Sequence, residues 1–411
     1  MIQKQIHDLI CKNCEKIDSW LSSKKKELQL PFYTSIDIRD SHHKIVSVDA
    51  NIYPAGFNNI CPTDKEHAPE ITKAYLDSYY GGKVKKIALL TEEHTKNPYY
   101  WENVRWILKM VEDAGYEIRV CLPQVLDNEV QVDSSSGNKV TVHPFKKIDG
   151  ELIGTDGFKP DLIISNNDFS NAYEAWAEGL KTPINPPREL GWHQRKKSDH
   201  FKYFNQLATE FSDIIGIDPW ILTVETEVAP DFDVNDVDSR EAVALKVEAM
   251  LKRIQENYDK RGIKDKPTVF VKNNSGTYGL GVMRALSGDD IRMLNSKGRG
   301  KMNAAKGGGD VTEVILQEGV PTAVMAEGVV AEPVVYIVGC DLAGGFFRTH
   351  SEKGPDDSLN SPGAVYKKMC VSDLKVDQGG CPIENVYGWV AKLSSLAIGY
   401  EIKQLNLKIK R

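Results

Sequence analysis

The stretch VFVKNNSGTYGLGVM, residues 269–283, combines a lysine with closely spaced glycines, the residue types needed to bind phosphate. Its apolar start predicts a buried β-strand that carries Lys272 and then opens into a loop with Gly276, Gly279 and Gly281. Glycines let backbone N–H groups approach phosphate oxygens, and a lysine adds a positive charge. A simple glycine-rich turn between two strands has the same composition, so this stretch alone does not decide between the two interpretations.

A second predicted strand, VILQEGV, ends in residues that suit a nucleotide base. An exposed strand edge beside a carboxylate can accept a hydrogen bond from the amino group of adenine and donate one to a ring nitrogen. Gln317, Glu318 and Val320 are therefore candidates for binding the base of ATP.

Oxygen-bearing side chains follow in the next two segments. The predicted hairpin PVVYIVGCDLAGGFFR places Asp341 at its turn and Arg348 on the returning strand, and DDSLNSPGA supplies Asp357 and Asn360. Carboxylate and amide oxygens are hard ligands suited to Mg²⁺ bound with ATP phosphates, and Mn²⁺ accepts similar donors. Taken singly, Asp341 and Asn360 are also ordinary turn residues, so it is the order of the motifs that favours a metal site.

The length, net charge and composition of the chain indicate what kind of protein positions these residues. A chain of 411 residues predicts two or three packed units, and a net charge of −6 argues against nucleic acid or an anionic membrane as a partner. No apolar run is long enough to span a membrane, and the amphipathic start lacks the core of a signal peptide, so we expect a cytoplasmic protein. Seven cysteines, an odd number, argue against a disulfide framework, and Cys11 and Cys14 are expected to be thiols on a helix face.

The first part of the chain alternates strands and helices as parallel sheets do. KIALLT and YEIRVCL flank a helix with one apolar face, which predicts a β-α-β unit. EVQVDSSSGNKVTV predicts a hairpin, and DLIISNND predicts a strand with a polar end, where open α/β sheets bind ligands. We therefore expect residues 1–190 to form one α/β substrate domain that ends near TPINPPRE.

The second part, residues 191–411, predicts helices, several strands and a final amphipathic helix. We expect a lid subdomain at about 200–310 and a catalytic subdomain at about 311–411. The basic, glycine-rich segment SKGRGKMNAAKGGGD, residues 296–310, fits two interpretations. One is a surface loop, and the other is a lid that closes over phosphates.

The order of these motifs resembles the ATP-grasp superfamily, with bacterial glutathione synthetase as the nearest analogy. A lysine on a strand beside a glycine-rich loop is followed by E-G-V, an aspartate, an arginine and N-S-P-G, as in that superfamily. In glutathione synthetases a helix near an N-E-K-L-F segment supplies a first ATP lysine, which the resemblance assigns to Lys202 in HFKYF. The superfamily often has a carboxylate two positions before the metal-binding Asn. This chain has Ser358 there, which leaves Asp357 or Asp356 for the role.

Longer strings resemble a narrower family. PFYTSIDIRD, VDANIYPAGFNNICP, EEHTKNPYYWENV, ISNNDFS and GWHQRKKSDHF look like the proteobacterial glutamate–cysteine ligases of ATP-grasp type. The resemblance implies an α/β protein whose ATP-grasp fold follows an N-terminal α/β (pre-ATP-grasp) domain. It also implies that ATP drives formation of γ-glutamylcysteine from glutamate and cysteine through γ-glutamyl phosphate.

The same resemblance implies roles for five residues of the second part. Lys202 and Lys272 would hold ATP phosphates, and Asp341 with Asn360 would hold Mg²⁺. Arg348 would stabilise the charge that develops in the transition state. Whether the chain forms a homo-oligomer is left open.

The amino-acid pocket is expected in the first domain, where VDANIYPAGFNN concentrates polar side chains at a turn. Amides and carboxylates can together hold an α-ammonium and an α-carboxylate, and an arginine can pair bidentately with a carboxylate. The alternative is a loop whose Asn side chains only satisfy its own turns. The candidates are Arg39, Asp49, Asn51, Asn58 and Asn59.

Two other functions fit the same motifs. One is an ATP-grasp carboxylate–amine ligase that acts on a different amino acid or peptide. The other is a non-catalytic sensor that binds ATP, although a sensor would not need Arg348 or a full set of metal ligands.

Overall fold

The structure, a computed structural model of the 411-residue chain, describes residues 2–93, 96–276, 279–304, 306, 310–370, 375–378 and 381–409. Among these residues, no helix is both long enough and apolar enough to cross a membrane. The helices are α1 (Ile2–Lys12), α2 (Cys14–Glu27), α3 (Pro62–Tyr80), α4 (Pro98–Asp113), α5 (Glu174–Ala177), α6 (Lys197–Ile215), α7 (Val237–Arg261), α8 (Asp289–Arg292), α9 (Ser296–Met302) and α10 (Val386–Gln404).

The strands of the described residues form three larger sheets and two hairpins. The strands are β1 (Tyr33–Asp40), β2 (Ile45–Asn51), β3 (Lys86–Leu90), β4 (Glu117–Cys121), β5 (Val130–Asp133), β6 (Lys139–Val142), β7 (Phe145–Ile148), β8 (Glu151–Gly154), β9 (Leu162–Ser165), β10 (Ile184–Asn185), β11 (Thr226–Ala229), β12 (Val269–Asn273), β13 (Val282–Ala285), β14 (Val314–Glu318), β15 (Met325–Ala326), β16 (Val329–Val338), β17 (Asp341–Thr349), β18 (Val365–Met369), β19 (Lys375–Gln378) and β20 (Cys381–Glu384). The predicted α/β class is confirmed.

The first sheet has the strand order β10-β9-β3-β4-β6-β5 and is parallel except for the hairpin β5–β6. Helix α4 connects β3 to β4, and its start is fixed by Asn97, whose side chain accepts hydrogen bonds from two backbone N–H groups, and by Pro98. The helix buries Trp101, Val104 and Val111 against the sheet. The predicted β-α-β unit and hairpin are confirmed. Because β3 and β9 are neighbours, their carboxyl ends meet at one edge.

The second sheet, antiparallel with the order β18-β17-β16-β1-β2, joins the two ends of the chain. Strand β1 pairs with β16, with Asp37 opposite Val334. This pairing differs from the division expected near residue 190, because two strands from the first part belong to the sheet of the second part. Helix α10 packs against β1, β2 and β16, and α6 packs against α10, so both helices contribute to the same hydrophobic core.

The third sheet is small, antiparallel and ordered β11-β14-β12-β13. It packs against α7 around a separate core that includes Val247, Met250 and Val271. Strand β14 therefore has a neighbour on each side. The expectation that β14 has an exposed edge for an adenine is therefore wrong. Only the residues that follow Glu318 remain candidates for binding the base through their backbone.

One disulfide joins Cys61, just before α3, to Cys370, just after β18. The two cysteines are 309 positions apart in the sequence. The sequence did not predict this bond, because an odd number of cysteines neither requires nor excludes a single disulfide. Cys11 and Cys14 lie outside this disulfide, as thiols on the N-terminal helices, as expected.

Candidate active site

A cleft of about 700 Å³ opens between the antiparallel sheet and the small sheet. This volume includes space that is open to solvent. The walls come from β1, β2, β12, β14 and β16, the first turn of α6, and the loops after β12 and β17. The sequence-predicted residues on these walls are Arg39, Asp49, Lys272, Gly276, Gly279, Gln317, Glu318, Val320 and Asn360.

Lys272 projects into the cleft from β12. Its ammonium donates to the backbone oxygen of Val48 at 3.1 Å and to the side-chain oxygen of Gln317. Burial lowers the pKa of Lys272 to about 8, although the charge of Asp49 opposes this change. Lys272 therefore carries a positive charge at neutral pH and has a polar partner that a phosphate oxygen can replace.

A second ammonium, that of Lys197, enters the cleft from the start of α6. It lies 2.5 Å from Asp49 and 4.4 Å from the centre of the Trp192 ring. Burial alone would raise the pKa of Asp49, but Lys197 and Lys272 lower it to about 2. Asp49 is therefore a carboxylate held between two ammonium groups.

Lys202 is the expected phosphate lysine of α6, and the structure places it elsewhere. Its side chain is exposed and lies over the ring of Tyr203. Five positions separate it from Lys197, which turns the helix by roughly 140° away from the cleft. Lys197 thus occupies the position that the sequence assigned to Lys202.

Two carboxylates and two guanidinium groups form a buried cluster in the cleft wall. Arg348 donates to Asp37 at 2.7 Å and to Glu332 at 2.6 Å, while Arg39 lies 2.7 Å from the other oxygen of Glu332. Burial raises the pKa of Asp37 in spite of Arg348, whereas the two guanidinium groups outweigh burial and lower the pKa of Glu332. Asp37, Arg39 and Glu332 face the cleft, and Arg348 lies behind them.

Oxygen donors for a divalent cation are present at this wall. Asp37, Glu332 and Asn360 line the same cleft. Each carboxylate oxygen can accept more than the one hydrogen bond that an arginine supplies. Mg²⁺ bound with a nucleotide usually takes one or two protein carboxylates and completes its shell with phosphates and water. The donor set therefore fits a divalent cation that enters with a nucleotide.

Two of the expected metal ligands are elsewhere. Asp341 lies at the β16–β17 turn, more than half exposed, with Lys25 at 3.4 Å. Seven strand positions separate it from Arg348, which corresponds to roughly 20 Å along an extended strand. Asp357 uses its carboxylate to accept from the backbone N–H of Gly354 and to pair with Arg284.

The carboxylate of Glu318 is engaged by the protein through both of its oxygens. Both of its oxygens accept from the Lys44 ammonium, at 2.8 and 2.7 Å, and one also accepts from the backbone N–H of Glu225. Burial lowers the pKa of Lys44 despite this pairing. The side-chain nitrogen of Gln317, in contrast, is buried without a hydrogen-bond partner in the described part of the chain. Gln317 is therefore better placed than Glu318 to bind a polar ligand.

The glycines after β12 come close to the backbone on the far side of the cleft. Gly279 has a φ of +66°, and an added Cβ would lie 3.0 Å from the backbone oxygen of Asn360. A larger residue there would be strained and would separate the two walls. Gly281 has a φ of +60° but packs behind the loop against Asn273 and Met302 instead of lining the cleft.

Comparison with known proteins assigns the chain to a family. The model of the glutamate–cysteine ligase family (GshA) matches residues 7–402. The chain belongs to the glutamate–cysteine ligase family. It is therefore an ATP-dependent ligase that acts on small molecules.

A crystal structure from Methylobacillus flagellatus KT, described as that of a candidate gamma-glutamylcysteine synthetase, superposes with a TM-score of 0.88 and 32% identity. The alignment covers 98% of this chain and 96% of that one. A glutathione synthetase-like effector from Globodera pallida aligns over 90% of this chain and 86% of that one, with a TM-score of 0.43 and 11% identity. No curated protein matches the chain.

The polar loop expected to bind the amino-acid substrates of this ligase is mostly engaged with itself. Asn58 donates to the Asn59 side chain at 3.0 Å, and its backbone oxygen accepts from Lys65. Asn51 ends β2 opposite Ser35 and does not line the cleft. Of the expected substrate residues, the structure brings only Arg39 and Asp49 to the cleft.

Asp37, Lys197 and Glu332 line the cleft but were not predicted. A local signal existed for Asp37, because it lies two strand positions before Arg39 and therefore on the same face of β1. Lys197 lies in the basic run RKK, whose members the sequence does not distinguish. Glu332 lies among apolar strand residues and carries no local signal of a site.

Proposed function

We propose that this chain joins the γ-carboxylate of glutamate to the amine of cysteine and that the 700 Å³ cleft is its ATP site. The observation that carries the proposal is the pairing of two ammonium groups, from Lys197 and Lys272, in a cleft between two antiparallel sheets. The family match across residues 7–402 supplies the reaction.

The nucleotide has a binding partner for each of its parts. Lys272 and the backbone at Gly276 and Gly279 are suited to the phosphates, because a point charge and approachable N–H groups both neutralise phosphate oxygens. The amide of Gln317 and the backbone at Val320 are suited to the base. Phe270 and Val282 supply apolar wall.

We assign Mg²⁺ to Asp37, Glu332 and Asn360. When bound, the cation neutralises phosphate charge and favours attack on the γ-phosphorus. Arg348 fixes both carboxylates by donating to each, so it is a positioning residue in this scheme. Arg39, which faces the cleft, takes the role of stabilising developing negative charge.

The reaction has two steps. The glutamate γ-carboxylate attacks the γ-phosphorus of ATP, which releases ADP and forms an acyl phosphate. The cysteine amine then attacks the acyl carbon, loses a proton and displaces phosphate. The protein contributes mainly position and charge, as in other phosphoryl transfers.

Phosphate release tests the proposal. The purified chain with ATP and Mg²⁺ should release phosphate rapidly only when glutamate and cysteine are both present, and γ-glutamylcysteine should accumulate in equal amount. Glutamate with a different amine, such as alanine, is the control for the acceptor. Turnover with another amino-acid pair but not this one would assign a different ligase, and ATP binding without turnover with any pair would indicate a sensor.

A further inference from the structure

A second cleft, of about 570 Å³, lies on the other side of the turn at Gly276. Its wall includes Ser170 and Trp192 from the parallel-sheet side, Ser275 from the turn and Lys306 from the basic, glycine-rich segment. Because Gly276 borders both clefts, a ligand in the second would lie next to phosphates in the first. Apart from Gly276, the residues in the proposed ATP scheme do not line this cleft.

Two buried carboxylates lie beside it at the carboxyl ends of neighbouring parallel strands. Glu92 follows β3 and Asp168 follows β9, the edge at which open α/β sheets bind ligands. They are 4% and 6% exposed. The Lys306 ammonium lies between them, 2.9 Å from Glu92 and 2.8 Å from Asp168.

The surroundings of Glu92 and Asp168 suit a cation. One oxygen of Asp168 accepts from the backbone and side chain of Ser170, and Glu92 accepts from the Asp168 backbone N–H. The other Asp168 oxygen, Oδ2, accepts no hydrogen bond from the described residues and has only the Lys306 ion pair. Burial and the charge of Asp168 raise the pKa of Glu92 to about 7, and Lys306 opposes this rise, so the ionised form of Glu92 depends on a nearby positive charge.

We propose that Glu92 and Asp168 form the subsite for the α-ammonium of glutamate and that Lys306 occupies it before the substrate arrives. The inference rests on the proposed function and adds the position of one substrate to it. Glutamate suits the subsite better than cysteine does. The glutamate ammonium stays protonated throughout, whereas the cysteine amine must lose a proton to attack, and two carboxylates would retain that proton.

Isosteric substitutions test the subsite without removing its neutral contacts. Glu92→Gln keeps an oxygen for the Asp168 N–H, and Asp168→Asn keeps one for Ser170. Each should raise the KM for glutamate about tenfold or more, since a hydrogen bond to a charged group is lost, and should leave the KM for ATP and for cysteine nearly unchanged. Glu93→Gln, at the exposed neighbouring position, is the matched control.

Glutarate, which is glutamate without its α-amino group, isolates the ammonium. Its inhibition constant should be the same in the wild type and in Glu92→Gln, because it makes no contact that this change removes. Equal weakening of glutarate and glutamate would overturn the proposal, as would an effect on the KM for cysteine in place of glutamate.

Lys306→Met tests the second half of the inference. Removing a competing ammonium should lower the KM for glutamate at saturating ATP. A KM that rises as it does in Glu92→Gln would overturn the proposal, since Lys306 would then belong to the working site. Failure of the wild type to release phosphate with glutamate and cysteine would instead overturn the proposed function, so the two failures are distinguishable.

Discussion

Lys272 and Lys197 approach Asp49 from a strand and from a helix start, respectively. Two positive charges and one negative charge leave the group with a net positive charge, which attracts an entering phosphate. Because Asp49 is held ionised by both lysines, it also keeps them in place before ATP arrives. The site is thus arranged for an anion in its ligand-free form, which reduces the reorganisation needed on binding.

Lys272→Ala should weaken ATP binding by about ten- to a hundredfold, because a charge-assisted phosphate contact contributes roughly 1.5–3 kcal/mol. Lys202→Ala is the matched control, since that exposed lysine lies outside the cleft. Titration calorimetry with ATP measures both. An equal loss in the two variants would show that only the overall charge of the protein matters.

ATP binding should weaken as the pH rises. Burial lowers the pKa of Lys272 to about 8, so its ammonium is charged below this pH and loses its proton above it. The dissociation constant for ATP measured between about pH 7 and 9 should increase, at most tenfold for each pH unit above the pKa. Lys272→Arg remains charged and should flatten this dependence; an unchanged slope would place the titrating group elsewhere.

Asn360→Ala and Glu332→Gln should each raise the Mg²⁺ concentration needed for half-maximal activity, because each removes an oxygen donor from the cleft wall. Asp341→Ala should leave it unchanged, since this side chain lies at the distant hairpin turn beside Lys25. Activity is titrated against Mg²⁺ at fixed ATP. A shift in Asp341→Ala alone would restore the ligand set expected from the sequence.

The sequence predicted best those residues of the site that lie close together in the chain. Lys272, Gly276 and Gly279 lie within one short stretch, and the structure brings all three to the cleft. Lys197 and Lys202 lie on one helix with no periodic signal to separate them, so the choice depended on packing. Asp37 and Glu332 could not be paired from sequence, because 295 positions separate them and only the pairing of β1 with β16 brings them together.

Arg348 connects three strands of the antiparallel sheet. It starts on β17 and reaches Glu332 on β16 and Asp37 on β1. All three side chains are at least nine-tenths buried. In such surroundings, the loss of one partner leaves charge that neither water nor protein compensates.

Arg348→Ala should lower the free energy of unfolding by about 3–5 kcal/mol, because two buried carboxylates lose their shared cation. Urea unfolding followed by circular dichroism measures the change. Adding Asp37→Asn to this variant should recover part of the loss, since it removes one of the uncompensated charges. A fully stable Arg348→Ala with a large fall in kcat would instead assign Arg348 a direct part in the chemistry.

Elements with a strong period or a cap were predictable, and those defined by pairing were not. Helix α4 has an apolar face, an Asn cap and a proline at its start, all readable in the sequence. The position of β14 in the middle of its sheet has no such signal, because VILQE suits a central strand as well as an edge strand. The sequence therefore suggested an exposed edge for adenine within β14, whereas the structure leaves only the residues after Glu318 for that role.

Across the whole chain, the sheet that forms one wall of the cleft combines strands from the first and the second part of the sequence. Strands β1 and β2 supply Asp37, Arg39 and Asp49, while β16 supplies Glu332. A division at residue 190 would therefore cut through the cleft. It would also leave β16 with an unpaired edge made of apolar residues.

A fragment of residues 191–411 should be insoluble or aggregate, because the edge of β16 and the underside of α10 lose their cover. Co-expression with residues 1–190 should restore soluble protein that binds ATP. The two fragments are compared by size-exclusion chromatography and ATP titration. A monomeric 191–411 fragment that binds ATP with the affinity of the intact chain would show that β1 and β2 are dispensable.

The pairing of β1 with β16 also fixes the order of events during synthesis. A ribosome produces the chain from its N-terminus, so Asp37 and Asp49 emerge long before Glu332 and Asn360 do. Until Val338 has been made, β1 has no complete β16 to pair with, and contacts so distant in sequence form slowly. A growing polypeptide that stops before β16 lacks both Glu332 and Asn360 and therefore cannot complete the cleft.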